Sequence, residues 1–198
     1  MRIFLSGPSG VGKSTIIQAI LARHEDMRLS ISYTTRSPRP GEQDGREYFF
    51  ISRSSFEERA AAKCFLEWAE VHDHLYGTAL DWVSSMESQG YHILFDIDVQ
   101  GVRQAKAQNS PGAYIMLLPP DMVALERRLK GRGTEDSLSL ATRLENAKKE
   151  MRCWQLYDYL VVNDRLEMAI ADIESIISAE RLRRQAVEGR LTWLSEIV

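Results

Sequence analysis

The stretch Ile3-Phe4-Leu5-Ser6-Gly7-Pro8-Ser9-Gly10-Val11-Gly12-Lys13-Ser14-Thr15 decides the fold. It fits G-x-x-x-x-G-K-[ST], with Gly7, Gly12, Lys13 and Ser14 in the fixed places. Arg2 to Ser6 is short and largely apolar, the pattern of a buried parallel strand. Ile16 to Arg23 reads as a helix. The turn between them therefore opens onto a helix N-terminus, where free N–H groups and the dipole favour an anion. Its glycines let the backbone bring N–H groups against phosphate oxygens. Lys13 can reach the β- and γ-phosphates of a nucleotide, and the Ser14 hydroxyl can ligate Mg²⁺. Gly7, Pro8, Ser9, Gly10, Val11, Gly12, Lys13, Ser14 and Thr15 are the expected phosphate cradle. The plainer reading is a glycine-rich connection with no ligand. At average residue frequencies, however, the pattern arises by chance in about one chain of this length in a hundred.

The 198 residues suffice for one domain with a sizeable core and inserted lobes. With 44% hydrophobic and 27% charged residues, the balance is that of a soluble globular protein. A net charge of −3 argues against a dedicated nucleic-acid binder, while leaving room for a local basic pocket. No apolar run approaches the length of a membrane span, so no membrane partner is expected. The first strand follows Met1 almost at once, which leaves no room for a signal peptide and makes the cytoplasm the expected compartment. Cys64 and Cys153 lack metal-site spacing and are expected to be reduced. The oligomeric state is left open, with a monomer as the default.

Further along, Leu29 to Tyr33 reads as a second strand, Tyr48 to Ile51 as a third. Ser55-Phe56-Glu57-Glu58 has the capping-box pattern and predicts a helix from there to about Lys63. Phe65 to Val71 alternates, which puts Phe65, Glu67 and Ala69 on one face and Leu66, Trp68 and Glu70 on the other. Thr78 to Gln89 reads as a helix stopping at Gly90. His92 to Asp96 is an apolar run ending in acid, as a buried parallel strand with a functional C-terminal end would read. A helix over Val99 to Gln108 precedes a buried strand, Ala113 to Leu118. Asp121 caps a helix to about Lys130, Gly131 to Thr134 breaks it, and another helix spans Leu138 to Trp154. A strand over Tyr159 to Val162 and an amphipathic helix over Leu166 to Gln185 follow. The tail from Leu191 to Val198 is compatible with a packed helix and with disorder. Strands alternate with helices at both ends, implying an α/β fold with a parallel sheet and crossover helices. Ser32 to about Ser84 breaks the rhythm with short strands and turns, the pattern of an inserted lobe.

A set of further motifs resembles one family. They are Ser32-Tyr33-Thr34-Thr35-Arg36-Ser37-Pro38-Arg39-Pro40-Gly41-Glu42, Gly45 with Tyr48-Phe49-Phe50, Phe65-Leu66-Glu67-Trp68-Ala69-Glu70 and Tyr76-Gly77-Thr78. Asp96-Ile97-Asp98-Val99-Gln100-Gly101, Arg128-Leu129-Lys130-Gly131-Arg132-Gly133-Thr134 and Val162-Asn163-Asp164 complete it. In this order, over about the first 185 residues, they resemble guanylate kinase. A local departure is His74-Leu75 before Tyr76, where the family more often has Asn-Tyr.

The resemblance implies a P-loop kinase core (1–31, 85–120 and 144–198), a nucleoside-monophosphate lobe (32–84) and a helical lid (121–143). The implied reaction moves the γ-phosphoryl of ATP onto GMP, and onto dGMP, with Mg²⁺, in purine nucleotide metabolism and GMP recycling. By the same resemblance, Arg36, Arg39, Tyr48 and Tyr76 hold the GMP phosphate. Glu67 takes the guanine donors, and Ser32 and Thr78 add hydroxyl contacts. Arg128, Arg132 and Arg143 close over the ATP phosphates, and Asn163 lies on the adenine side.

The residues also make chemical sense without the name. Arg36 and Arg39 lie on a proline-stiffened turn, where two guanidinium groups can clamp a phosphate. Each of Tyr48 and Tyr76 can donate a phenol hydrogen bond, though either alone also reads as an ordinary half-buried aromatic. A carboxylate in an apolar strand, as at Glu67, is costly unless paired; a partly exposed surface position is the alternative. Asp96 and Asp98 share a face if their strand continues that far. Asp96 is assigned to Mg²⁺ and the P-loop, Asp98 to the acceptor, with the division of roles left open against simple helix capping. No general base is required, because the nucleophile is a phosphate oxygen that is already largely ionised.

Two other readings stand beside this one. A guanylate-kinase-like binding module has lost catalysis, typically with a damaged P-loop and attached domains. A P-loop kinase with another phosphorylated acceptor would not need Glu67 with Ser32.

Overall fold

The computed structural model describes residues 1–71, 73–130 and 137–188, with Leu191 and Trp193. Two sheets organise these residues. The larger has five strands, all parallel: β1 (Arg2–Ser6), β2 (Met27–Leu29), β7 (His92–Asp96), β8 (Ala113–Leu118) and β9 (Tyr159–Val162), in the order β2-β7-β1-β8-β9. The smaller has β3 (Tyr33–Thr34), β4 (Phe49–Phe50), β5 (Phe65–Val71) and β6 (His74–Ala79), in the order β4-β3-β6-β5.

The inner strands of the large sheet are continuous apolar runs because both of their faces are covered. Ile3 and Leu5 of β1, Leu94 of β7 and Ile115 and Leu117 of β8 face one side. There they meet Ile16, Ile17 and Ile20 of α1 (Lys13–Arg23) and Ile170, Ile173 and Ile177 of α7 (Leu166–Arg181). Phe4, Phe95 and Tyr114 face the other, where Phe4 stacks between the two rings with centroids 4.4 and 4.3 Å away. On that side lie Val83 of α3 (Leu80–Ser88) and Val102 and Ala105 of α4 (Val99–Ala107). A third cluster, with Leu125 and Leu129 of α5 (Met122–Lys130) and Ala147 of α6 (Ser137–Met151), forms the helical flank.

This order sets the ligand crevice. The chain leaves β1 toward β2 on one side of the sheet and later crosses to β8 on the other, so the carboxyl ends of β1 and β7 form a topological switch point. Register aligns Leu5 with Asp96 across that crevice.

The smaller sheet and the helix ends correct several expectations. Leu29 to Tyr33 is not one strand: β2 ends at Leu29, and β3 begins at Tyr33 in the other sheet. His74 to Ala79 is a strand, so the helix expected from Thr78 starts at Leu80. α2 (Arg53–Ala61) starts before the capping box, because Ser52 rather than Ser55 is its cap: the Ser55 N–H donates to Ser52 Oγ at 3.1 Å. The helix expected to reach Trp154 ends at Met151 and is followed by a 3₁₀ turn, Trp154–Leu156. α7 ends at Arg181, before α8 (Arg184–Glu188).

Two corrections concern candidate site residues. β5 carries a bulge: Phe65 pairs with Ala79 and Glu67 with Thr78, two residues against one. The alternation resets there, so Phe65 and Glu67 do not share a face. Phe65 packs on Phe56 inside the small sheet's own cluster, while Leu66 and Glu67 turn to α4. At the other site β7 stops at Asp96, so Asp96 and Asp98 are not on one strand face; Asp98 caps α4. The expected break at 131–134, Arg132 within it, and most of the tail lie outside the described residues.

Candidate active site

The P-loop is held in shape from below. Gly12 stands at φ +101°, and a Cβ on it would come 2.5 Å from Asn163 Nδ2, so only glycine fits between the turn and that amide. Asn163 is buried at the end of β9, and its Nδ2 donates to the Val11 carbonyl at 2.8 Å. Arg128 of α5 donates to the Asn163 carbonyl at 2.8 Å and reaches that of Val11 at 3.5 Å. Asn163 and Arg128 thus tie β9 and α5 to the loop. With Gly12, Thr15 and Asp164 they line a recess of about 240 Å³ beside it.

Above the loop, Gly7, Pro8, Ser9, Gly10, Gly12, Lys13 and Ser14 line a recess of about 300 Å³ together with Asp98 and Glu150. Lys13 Nζ is 2.6 Å from Asp96 Oδ1, the strand-end carboxylate that register brings opposite the start of the loop. Arg143 of α6 donates to Ser9 Oγ at 2.6 Å, so a second cation sits at the loop. Ser14 and Thr15 are exposed at the first turn of α1. Glu150, also on α6, belongs to the same recess. Burial pushes its carboxyl above the ordinary range, the Lys13 charge opposes that, and Asp98 adds to it.

The second half of the site lies on the small sheet. Arg36, Tyr48 and Tyr76 come together: the two rings are 5.7 Å apart edge to face, and the guanidinium carbon lies 5.4 Å from the Tyr48 centroid. Burial pushes the Tyr48 phenol up, Tyr76 pushes it further, and Arg36 opposes, so it remains a donor at neutral pH. Arg36 is oriented by Glu42, whose Oε1 accepts from its Nη2 at 2.9 Å, while Oε2 accepts from the Arg39 N–H at 2.7 Å. The Arg39 side chain is exposed at the tip of the same turn.

Glu67 is 9% exposed. Its Oε1 accepts from the Thr78 N–H at 3.1 Å, and Ser32 Oγ lies 3.4 Å from Thr78 Oγ1. Burial pushes its carboxyl above the ordinary value of 4.5; the Thr78 hydroxyl and N–H hold it down, and the charge of Asp98 raises it again. Asp98 Oδ1 accepts from the Gly101 N–H at 2.8 Å. A Cβ on Gly101 would lie 3.2 Å from Glu67 Oε2. Asp98 therefore stands between the halves: its charge reaches Glu67, and its side chain lines the P-loop recess.

Glu42, Glu150 and Gln104 of α4, whose amide bonds the β5 backbone, were not anticipated. Glu42 had a local signal, an acid three and six residues after two arginines on a stiff turn. Glu150 and Gln104 are polar residues on helices, and only tertiary packing marks them. A larger recess, about 690 Å³, lies at the amino ends of the strands. Its charges are committed to one another, Arg2 to Glu87 at 2.8 Å and Lys106 to Asp158 at 3.2 Å.

A family model described as guanylate kinase matches residues 1–180 of the chain. A guanylate kinase of Latilactobacillus sakei subsp. sakei is 44% identical over 184 residues, 92% of this chain and 91% of that one. One of Rhizobium meliloti is 42% identical, spanning 100% of this chain and 91% of its own. The crystal structure of guanylate kinase from Anaplasma phagocytophilum superimposes with a TM-score of 0.69 at 28% identity, over 96% of this chain and 94% of that one.

Proposed function

This chain belongs to the guanylate kinase family, and on that premise we propose how its residues divide the transfer of the γ-phosphoryl group of ATP to GMP. The observation that carries the division is the pairing of two carboxylates with two jobs. Asp96 is bonded to the P-loop lysine, and Glu67 is buried on the small sheet with its own backbone N–H partner.

The donor side is the P-loop. Backbone N–H groups from Gly7 to Thr15 cradle the phosphates, and Lys13 follows charge onto the transferring group. Arg143 adds a cation at Ser9. Arg132, outside the described residues, is assigned to the same phosphates on family likeness alone. Arg128 and Asn163 support the turn from below and border the adenine side.

Ser14 and Asp96 would hold Mg²⁺. Among the described residues no group of three His, Cys, Asp or Glu side chains could hold a metal alone. One hydroxyl and one carboxylate suit Mg²⁺, which keeps waters and takes phosphate oxygens. When bound, the ion neutralises charge on the phosphates.

The acceptor side is the small sheet. Arg36, Arg39, Tyr48 and Tyr76 bind the GMP phosphate, with Glu42 setting the Arg36 guanidinium. Guanine offers N1–H and N2–H₂ as adjacent donors, and ionised Glu67 is acceptor-only, so it can take both. Ser32 and Thr78 flank it, and Asp98 joins it from α4. The same pocket accepts dGMP, since none of these contacts needs a ribose hydroxyl. The nucleophile is an oxygen of the GMP phosphate, so the chain positions and neutralises rather than abstracting a proton.

The test is a coupled assay of purified protein with MgATP and a panel of monophosphates: GMP, dGMP, IMP, AMP, CMP and UMP. Turnover of GMP and dGMP well above the rest supports this division. Equal turnover of GMP and AMP contradicts it.

A further inference from the structure

β5 is one of the two edge strands of the small sheet, yet its outer edge is not left to water. Trp68 N–H donates to Gln104 Oε1 at 3.0 Å, and Gln104 Nε2 donates back to the Trp68 carbonyl at 2.7 Å. One helical turn on, Gln108 Nε2 donates to the carbonyls of Phe65 and Leu66 at 3.1 and 2.8 Å. A side-chain amide has one donor face and one acceptor face, so Gln104 pairs with Trp68 as a neighbouring strand would.

These bonds fall on the bulge. A strand with an extra residue can slip by one position, and a slip turns each side chain to the opposite face. Here Gln108 holds the residues just before Glu67, and Gln104 holds the one just after it. Gly101, three residues before Gln104 on the same helical stripe, leaves the space that Glu67 Oε2 approaches. The helix itself is rooted in the core by Val102 and Ala105 and capped by Asp98.

We propose that Gln104 and Gln108 are positioning residues for base recognition: they clamp the β5 bulge to α4 so that the Glu67 carboxylate is presented to guanine. This rests on the assignment of Glu67 as the base reader. A clamp that only protects a sheet edge would affect stability alone. A clamp that aims Glu67 acts on the acceptor, and on the part of the acceptor that distinguishes it.

The test compares Gln104→Met and Gln108→Met, which keep side-chain length without the amide, with wild type and with Glu67→Gln. Steady-state constants are measured for GMP, for IMP (which has N1–H but no N2 amine) and for ATP, together with Tm. For Gln104→Met the expected result is a rise in the KM for GMP of about tenfold with kcat within about threefold. The GMP-over-IMP preference should shrink about fivefold, with the KM for ATP unchanged. Gln108→Met should move the same constants in the same direction, and it carries the test if Gln104→Met does not fold. Wild-type GMP constants and preference in both folded variants, with the preference lost in Glu67→Gln, would overturn the clamp and leave the base reading intact. A lowered Tm with equal losses for GMP and IMP would reduce the clamp to edge protection. An unchanged preference in Glu67→Gln would bring down the base reading and the clamp with it.

Discussion

The P-loop end of the parallel sheet and the acceptor lobe's small sheet are built on opposite plans. The first is contiguous: Gly7 to Gly12 between β1 and α1, with Lys13 to Thr15 opening α1, form a cradle of backbone groups. It is braced by Asn163, Arg128 and Asp96 from neighbouring elements. The second is assembled from side chains on a turn, on β5 and β6, just before β3 and β4, and at a helix start, with a buried carboxylate at its centre. Backbone amides read phosphate, which every nucleotide has. A buried carboxylate reads one arrangement of donors. On the proposed division of roles, selectivity belongs to the acceptor half and most of the charge stabilisation to the donor half.

The largest expected effect tests the donor half. Lys13→Met should lower kcat on the order of 10²-fold or more, because the lost charge acts on the transferring group. GMP affinity measured without ATP should barely change. Near-normal turnover by a folded mutant would erase the contrast between the halves.

A smaller effect tests how the acceptor turn is held. Glu42→Ala frees the Arg36 guanidinium and the Arg39 N–H together, so the KM for GMP should rise about tenfold with the KM for ATP unchanged. A change in ATP binding alone would place that turn on the wrong substrate.

The same contrast explains what the sequence makes legible. The donor half is local: an apolar run, fixed glycine spacing and a helix start all fall within twenty residues, so cradle and lysine can be read directly. Asp96 is legible for a similar reason, an acid closing an apolar strand. In the acceptor half Arg36, Glu67 and Tyr76 each have a chemical reading and an ordinary one, and likeness to a family decides between them. The strand carrying Tyr76 abuts α3 with no intervening turn, so Thr78 and Ala79 read as the helix start. Ser52, Ser54 and Ser55 offer competing caps, and Ser52 wins only because α2 begins one turn earlier than the capping box. The β5 bulge leaves no mark in the alternation of Phe65 to Val71, and that single extra residue decides which way Glu67 faces. Glu150 and the two glutamines acquire meaning only once α6 and α4 are packed.

The smallest effect sharpens the comparison through pH. Burial raises the Glu67 carboxyl above 4.5 in the free protein. Guanine donors favour the ionised form, so the KM for GMP should rise as pH falls through that raised value. The KM for ATP should not follow, and Glu67→Gln should flatten the GMP profile. The stability sign is the reverse. A raised folded pKa contributes stability that is present below the ordinary carboxylate value and lost as pH rises through the folded one. Glu67→Gln should therefore raise the Tm of the ligand-free protein at pH 7 more than at pH 4.5.

The most direct test is kcat/KM for GMP and for AMP in wild type and in Glu67→Gln. Adenine carries an acceptor at N1 beside its amine, so it sets a lone pair against a carboxylate oxygen. The mutant amide sets a donor against a guanine donor and matches the adenine pair instead. Wild type should favour GMP strongly. The mutant should lose roughly 2–4 kcal/mol of that transition-state stabilisation for GMP, with the GMP-to-AMP ratio falling accordingly. A wild type that prefers AMP, or a ratio that the substitution leaves unchanged, would contradict the account of Glu67 as the residue that reads the base.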